Sequence, residues 1–537
     1  MSKAETLITA HLDTWTSAVK VKSSAGRGGA KKLEFYGIKK LRELILELAV
    51  QGLLVPQVAE DESADKLLKR IKIQREQLIR SGKIKNAKVR PNENFSFQLE
   101  LPKNWESTSL GDIGDWGSGS TPKRDNPTYY QGSITWLKSG ELNDCETVSD
   151  SSENISEEAF KVGSFRENKI GDVLIAMYGA TIGKAAILAK PAVTNQAVCG
   201  CTPFEGIFNR FLFIYLMSKR AAFHAASEGG AQPNISKIKL LGFPFPLPPL
   251  AEQHRIVAKV DELMALCDQL EQQQEDSVRT HASLVETLLG ALTAASERGA
   301  FAEAWQRIAS HFDTLFTTES SIEQLKQTIL QLAVMGKLVD EGSTWNESAL
   351  EDVAAEIVDC PHSTPKWTDE GEICVRTNQF KAGCLDLSDS RFVSEETYKE
   401  RIQRLTPKSG DILYSREGGI LGIACSVPPD TKLCLGQRMM LIRAGENLAS
   451  EFLELVLNSP LITEIARRKT TGGAAPRVNV STVKAYPIPL PPLAEQHRIV
   501  AKVDELVALC DLLKARLQSA QATKVHIADT LVEAAIR

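Results

Sequence analysis

The chain has 537 residues, 43% hydrophobic and 24% charged, with a net charge of -5 at pH 7. That length exceeds one ordinary core and calls for about two to four domains. No apolar run approaches the roughly 20 residues that cross a bilayer, and the mild acidic balance gives no chain-wide sign of a polyanion partner.

In chain order, residues 1–40 read as an N-terminal extension whose opening, "MSKAETLITAHLDTWTSAVK", lacks the basic, apolar and small-residue order of a signal peptide. A cytoplasmic protein is expected. Residues 41–56 carry the helical pattern "LRELILELAVQGLLV". Residues 57–100 hold the basic amphipathic stretch "DKLLKRIKIQREQLIRSGK", read as a solvated helix running into a polar, flexible linker. Residues 101–249 mix short β-rich runs such as "DVLIAMYG" and "KAAILA" with the helical "NRFLFIYLMSKRAAFHAA", which makes them α+β. "DWGSG" at Asp115 reads as a turn.

Residues 250–300 begin a long helix. Pro248 and Pro249 suit a helix start, where absent amide donors cost nothing, and Glu252 complements the helix dipole. Ile256, Val260, Leu263, Cys267 and Leu270 follow at spacings of 4, 3, 4 and 3, the seam of a helix that packs along another. Connecting helices fill 301–340, a second mixed domain 341–492, and a second long helix 493–537, with its seam at Ile499, Val503, Leu506, Cys510 and Leu513.

The plan is duplicated. "PLPPLAEQHRIVAKVDELMALCD" from Pro246 returns from Pro489 with one change, Met264 to Val507. "LKQTILQLAVMGKLV" from Leu325 matches the segment from Leu41 at nine of fifteen positions. WxxxxLxD[IV] opens at Trp105 and Trp345, STPK at Ser120 and Ser363, GD[IV]L at Gly171 and Gly410, and a GGA loop at Gly229 and Gly472. Repetition in the same order implies one architecture built twice.

Catalytic patterns fail. "GATIGK" at Gly179 has three residues between its glycines, one too few for a phosphate-cradling loop. "NPTYY" at Asn126 breaks the [ND]PP[YF] pattern of amino-methyltransferases. The eight histidines form no HExxH, and the ten cysteines no CxxC, so no metal site is expected. Taken alone, these residues leave three classes open: a DNA reader, a helical scaffold, or a fused enzyme.

Paired LPPLAEQ segments, each following a mixed domain with those landmarks, resemble the specificity subunit of Type I restriction-modification enzymes over about Leu41 to Arg537. The resemblance implies two target-recognition domains separated by two long antiparallel coiled-coil helices, in a pseudo-twofold repeat. Each domain would read one half of a split, asymmetric site in double-stranded DNA. Two modification subunits, carrying the S-adenosylmethionine chemistry, would dock on the helices. Two restriction subunits would supply ATP- and magnesium-dependent translocation and cleavage. This chain would be noncatalytic, in the cytoplasm of a bacterium or archaeon.

Positions shared by the halves then serve fold and docking, and base contacts lie where the halves differ. The shared Lys123 and Lys366 are expected on phosphates. Arg124, Tyr129, Tyr130 and Lys138 in the first domain, and Trp367, Arg376, Asn378, Gln379, Arg416, Arg438 and Arg477 in the second, are expected to face DNA, arginine suiting guanine and amides adenine.

Overall fold

A computed structural model describes residues 3–22, 32–85, 100–144, 146–230, 233–339, 345–471 and 476–536. The chain divides into two compact units: residues 1–21, 33–275 and 523–537 form unit one, and residues 22–32 and 276–522 form unit two.

Unit one is centred on a four-stranded antiparallel sheet in the order Gly114–Ser118, Val198–Pro203, Val173–Ala176, Ala185–Ile187. Val173–Ala176 is apolar at every position and wholly buried, as a strand covered on both faces must be. The helix Asn209–Ser218 buries Phe211 to Leu216 in the same core. The first four residues of "DWGSG" are therefore strand, not turn: they pair with residues 199–202, a long-range partner that overrides the turn-like glycines, and Trp116 is buried with its indole donating to the Leu110 carbonyl. A smaller sheet sets Ile134–Leu137 between Asn154–Ile155 and the parallel Val193–Thr194.

The first mixed domain is closed by its own ends. Glu106–Ser109, just after Trp105, pairs antiparallel with Pro244–Leu247, just before the long helix. Alternate residues of a strand point their N–H to the same side, so Pro244 and Pro246 occupy the side that faces no partner strand. Trp105 packs beside Gly52, which ends the helix Tyr36–Val50 in a left-handed conformation, φ +72°.

The basic stretch is a helix, Ala64–Arg80, but only one face is solvated: Ala64, Leu67, Leu68 and Ile71 are buried in the unit's core. Residues 86–99 of the expected linker lie outside the described residues. The extension also packs, with the helices Lys3–Ala10 and Leu12–Ser17 burying Trp15 against Gly37.

Unit two repeats the main sheet and the closing pair of strands, and adds a strand to the smaller sheet and a two-stranded pair, Phe380–Lys381 with Cys384–Leu385. Its main sheet runs Ala354–Asp359, Met439–Ala444, Ile412–Ser415, Ala424–Ser426, all antiparallel. Glu372–Val375 lies between Phe392–Val393 and the parallel Leu433–Leu435, with Trp367–Thr368 added beyond. Asn346–Ala349 pairs with Pro487–Leu490 to close the domain. Gly336 ends the helix Glu319–Val334 at φ +70° and lies against Trp345.

Leu250–Ala294 and Leu493–Ile536 are single helices. In unit one, Ile256, Val260, Leu263 and Cys267 are buried, Leu270 packs with them, and Ala528, Leu531 and Val532 join that core. In unit two, Ile499, Val503 and Cys510 are buried with Leu506 and Leu513 beside Val285, Leu289 and Leu292. The apolar spacing fixed these faces.

Candidate nucleic-acid interface

Each main sheet has a base, joined to the long helix, and a tip. The register fixes the tip of the first domain. Ser118 pairs with Cys199, Ala176 with Val198, and Ile175 with Ala185, so the turns after 118, after 176 and before 198 gather at one end. In the second domain Asp359 pairs with Met440, Ser415 with Met439, and Tyr414 with Ala424. The two STPK segments leave from these tips.

In the first domain Lys123 is exposed. Arg124 is exposed too, its guanidinium 4.4 Å from the Tyr130 ring and in ion pair with Glu153 at 3.1 Å. That hydrogen bond holds the Glu153 carboxyl below its usual range. Tyr129 and Tyr130 are half-buried against Trp136 and Ile155. The Tyr130 hydroxyl donates to the Pro122 carbonyl at 2.7 Å and so braces the segment that carries Lys123. Lys138 is half-buried, 3.5 Å from Glu153.

In the second domain Lys366, Asn378, Arg438 and Arg477 are exposed. Trp367 pairs in a strand and lies under Arg391 at 5.7 Å. Arg376 occupies the place of Lys138: in both, the residue three positions on caps the turn by accepting the cation's own backbone N–H at 2.8 Å, Glu141 in one case and Gln379 in the other. Gln379 is thus buried and committed to its turn, and Arg376 is paired with Asp389 at 2.8 Å. A cation common to both domains suits a phosphate better than a base.

Arg416 is placed inside the domain. It is 6% exposed, bound by Asp359 at 3.0 and 2.8 Å and by the Val478 carbonyl at 3.3 Å. A base contact from this side chain would break all three bonds. Buried Arg401, which sequence reasoning passed over, likewise donates to the carbonyls of Leu435, Gly436 and Ser363 and ties the second STPK segment to its strand.

At the base, the repeated Gln is a latch. Gln253 accepts from the Phe208 N–H at 2.8 Å and donates to the Gly206 and Pro248 carbonyls, both at 3.1 Å. Gln496 makes the same three bonds with Ala449, Asn447 and Pro491. Buried peptide groups stranded without such partners cost about 1–3 kcal/mol each, which accounts for the repeated Gln. Burial holds the neighbouring Glu252 carboxyl above its ordinary range. Asp268 and Asp511 are also matched, pairing with Arg42 at 2.6 Å and Lys326 at 2.5 Å. Leu250, Ala258 and Ala265, and their counterparts Leu493, Ala501 and Ala508, are identical in type yet none is buried in its unit's core.

Two further repeats were legible and unread. "ISEEAF" at Ile155 returns as "VSEETY" at Val393, and in both the serine caps a helix, Ser156 accepting from Ala159 and Ser394 from Thr397, each at 3.2 Å. "HLDT" at His11 returns as "HFDT" at His311, and both histidines precede a short helix with φ near -122°. The N-terminal extension is therefore the first copy of the connecting helices.

A family model described as the Type I restriction modification DNA specificity domain matches residues 102–280 and again 342–522. The chain is 32% identical to the Type I restriction enzyme EcoEI specificity subunit of Escherichia coli and 34% identical to the EcoAI specificity subunit of the same species, in each case over 99% of both chains. A solved structure titled for the assembly and conformational transition of the type I R-M system overlays with a TM-score of 0.49 at 19% identity, covering 82% of this chain and 99% of that one.

Proposed function

Because the chain belongs to the family of Type I restriction-modification DNA specificity proteins, we propose that it is the noncatalytic subunit that chooses the DNA sequence, each recognition domain reading one half of a split, asymmetric site. The observation that carries this reading is one fold built twice, with matched Gln latches at the bases and tips whose side chains differ. A protein that read one sequence, or none, would have no use for that combination.

Two modification subunits dock on the repeated helix starts, where Leu250, Ala258 and Ala265 and their counterparts offer the same exposed surface twice. They bring S-adenosylmethionine, and restriction subunits bring ATP- and magnesium-dependent cleavage. Exposed Lys123 and Lys366 contact phosphates, and the tip loops contact bases.

The test is a binding series in complex with the modification subunit. Lys123→Ala should weaken specific and nonspecific duplexes alike and lower the slope of log affinity against log salt by about one. The chain alone should transfer no methyl group. Methyl transfer by the isolated chain, or a Lys123→Ala defect confined to one sequence, would contradict the assignment.

A further inference from the structure

The two tips share one loop frame. In the first domain the Met177 N–H donates to the Ala197 carbonyl at 2.8 Å, the Gly179 N–H to Pro233 at 2.7 Å, and the Ile235 N–H to Met177 at 2.9 Å. In the second, the Arg416 N–H donates to Arg438 at 3.2 Å, the Gly418 N–H to Pro476 at 2.8 Å, and the Val478 N–H to Arg416 at 2.9 Å. Tyr178 bridges Asn234 as Glu417 bridges Arg477. Gly183 and Gly422 close the loops at φ +78° and +89°. Gln196 and Gln437 both tie the frame to the STPK region, the first by accepting from the Thr121 hydroxyl, the second by donating to the His362 carbonyl at 2.6 Å.

On this common backbone four positions exchange their side chains. Met177, Tyr178, Ala197 and Asn234 stand in one domain where Arg416, Glu417, Arg438 and Arg477 stand in the other. We propose that these four paired positions set the base preference of each domain, and that in the second domain Arg438 and Arg477 read guanine while Arg416 positions them. The inference rests on the reading of the chain as a DNA specificity protein.

The side chains divide by role. Arg416 is buried and occupied by Asp359, Glu417 and Val478, so it binds together the segments that carry Arg438 and Arg477. Arg438 and Arg477 are exposed and make no ion pair among the described residues. Arg438 is also held at φ +69°, a left-handed conformation rare outside glycine, and the side chain kept there does no folding work visible in the domain. Guanine offers two acceptors on its major-groove edge, which match the fork of a guanidinium. A phosphate contact needs no sequence and would be common to both domains, as the cations at 123 and 366 are. The first frame offers an exposed Tyr178 and the exposed amide of Asn234 and no cation at these positions, and so favours a different base.

The experiment maps methylated sites after co-expression of the full chain with its modification subunit. Arg438→Ala and Arg477→Asn place first-domain residues at exposed positions of the second frame. The first half-site should stay unchanged, while discrimination for guanine at one or two positions of the second should fall roughly tenfold or more. Arg416→Met, a residue this frame already holds in the first domain, should relax the same positions, a sequence-specific change that loss of stability alone would not produce. Uniform weakening on all sequences would mean phosphate contacts and overturn the inference. An intact split target with an unchanged second half would overturn it alone, and a wild-type complex with no split target would overturn the proposed function with it.

Discussion

Asp172 and Asp411 hold the same turn, each accepting from the N–H three residues before it, Lys169 at 2.9 Å and Lys408 at 2.8 Å. Their outer partners differ: Arg443 grips Asp411 through two bonds of 2.8 Å, whereas Asp172 has the Thr202 hydroxyl at 2.9 Å. Burial therefore raises the Asp172 carboxyl above its ordinary 3.8. A raised folded value means that the folded chain holds this proton more tightly than the unfolded chain. The resulting stability is complete below pH 3.8 and is lost as the pH climbs through the raised value. Asp172→Asn cannot ionise, so the melting temperature of the wild type relative to this variant should fall as the pH rises from 4 to 7. A difference that stayed flat or grew with pH would refute the burial argument. The same scale shows what a sequence withholds. Arg416 and Arg438 look alike in the chain, both arginines beside an apolar strand, yet one is buried and one exposed. The difference is made by Asp359, 57 residues away, and no local pattern announces such a partner. Gln379 misled in the same way, since a buried turn cap and an exposed adenine reader are the same amide.

At the scale of elements, the helices were legible because their apolar spacing is also their burial. Every predicted seam residue is buried or packs in a core. Short strands carried weaker signals: Gly114–Ser118 has two glycines and needed Cys199 and Cys201 across the ladder to define it. One continuous helix, Leu250–Ala294, carries the chain from residues of unit one into residues of unit two. If that helix meters the distance between half-sites, its length should be readable in DNA. Four residues inserted between Gln272 and Gln274 add about 6 Å at 1.5 Å per residue, against about 3.4 Å per base pair. The unspecific gap should lengthen by about one or two base pairs while both half-sites keep their sequence. Methylated sites mapped across a genome decide it, and an altered half-site with an unchanged gap would show that the helix measures nothing.

At the scale of the whole molecule, duplication explains most of what is shared, from the Gln latches to the Gly–Trp contacts at the ends of the repeated helices. It was legible wherever identity survived, as in PLPPLAEQ. It was missed where only a cap or a turn survived, as at His11 and His311, because a match of three residues in four gains meaning only when both copies are seen to make the same turn. The shared bases also make the domains exchangeable. Residues 105–249 begin and end on paired strands, Glu106–Ser109 with Pro244–Leu247, as residues 345–492 do with Asn346–Ala349 and Pro487–Leu490. The central claim, that each domain reads its own half of the target, is tested most directly by replacing residues 345–492 with a second copy of 105–249 and mapping the methylated sequence in complex with the modification subunit. The account predicts a target made of two copies of the first half-site with the gap retained; an unchanged asymmetric target would contradict it.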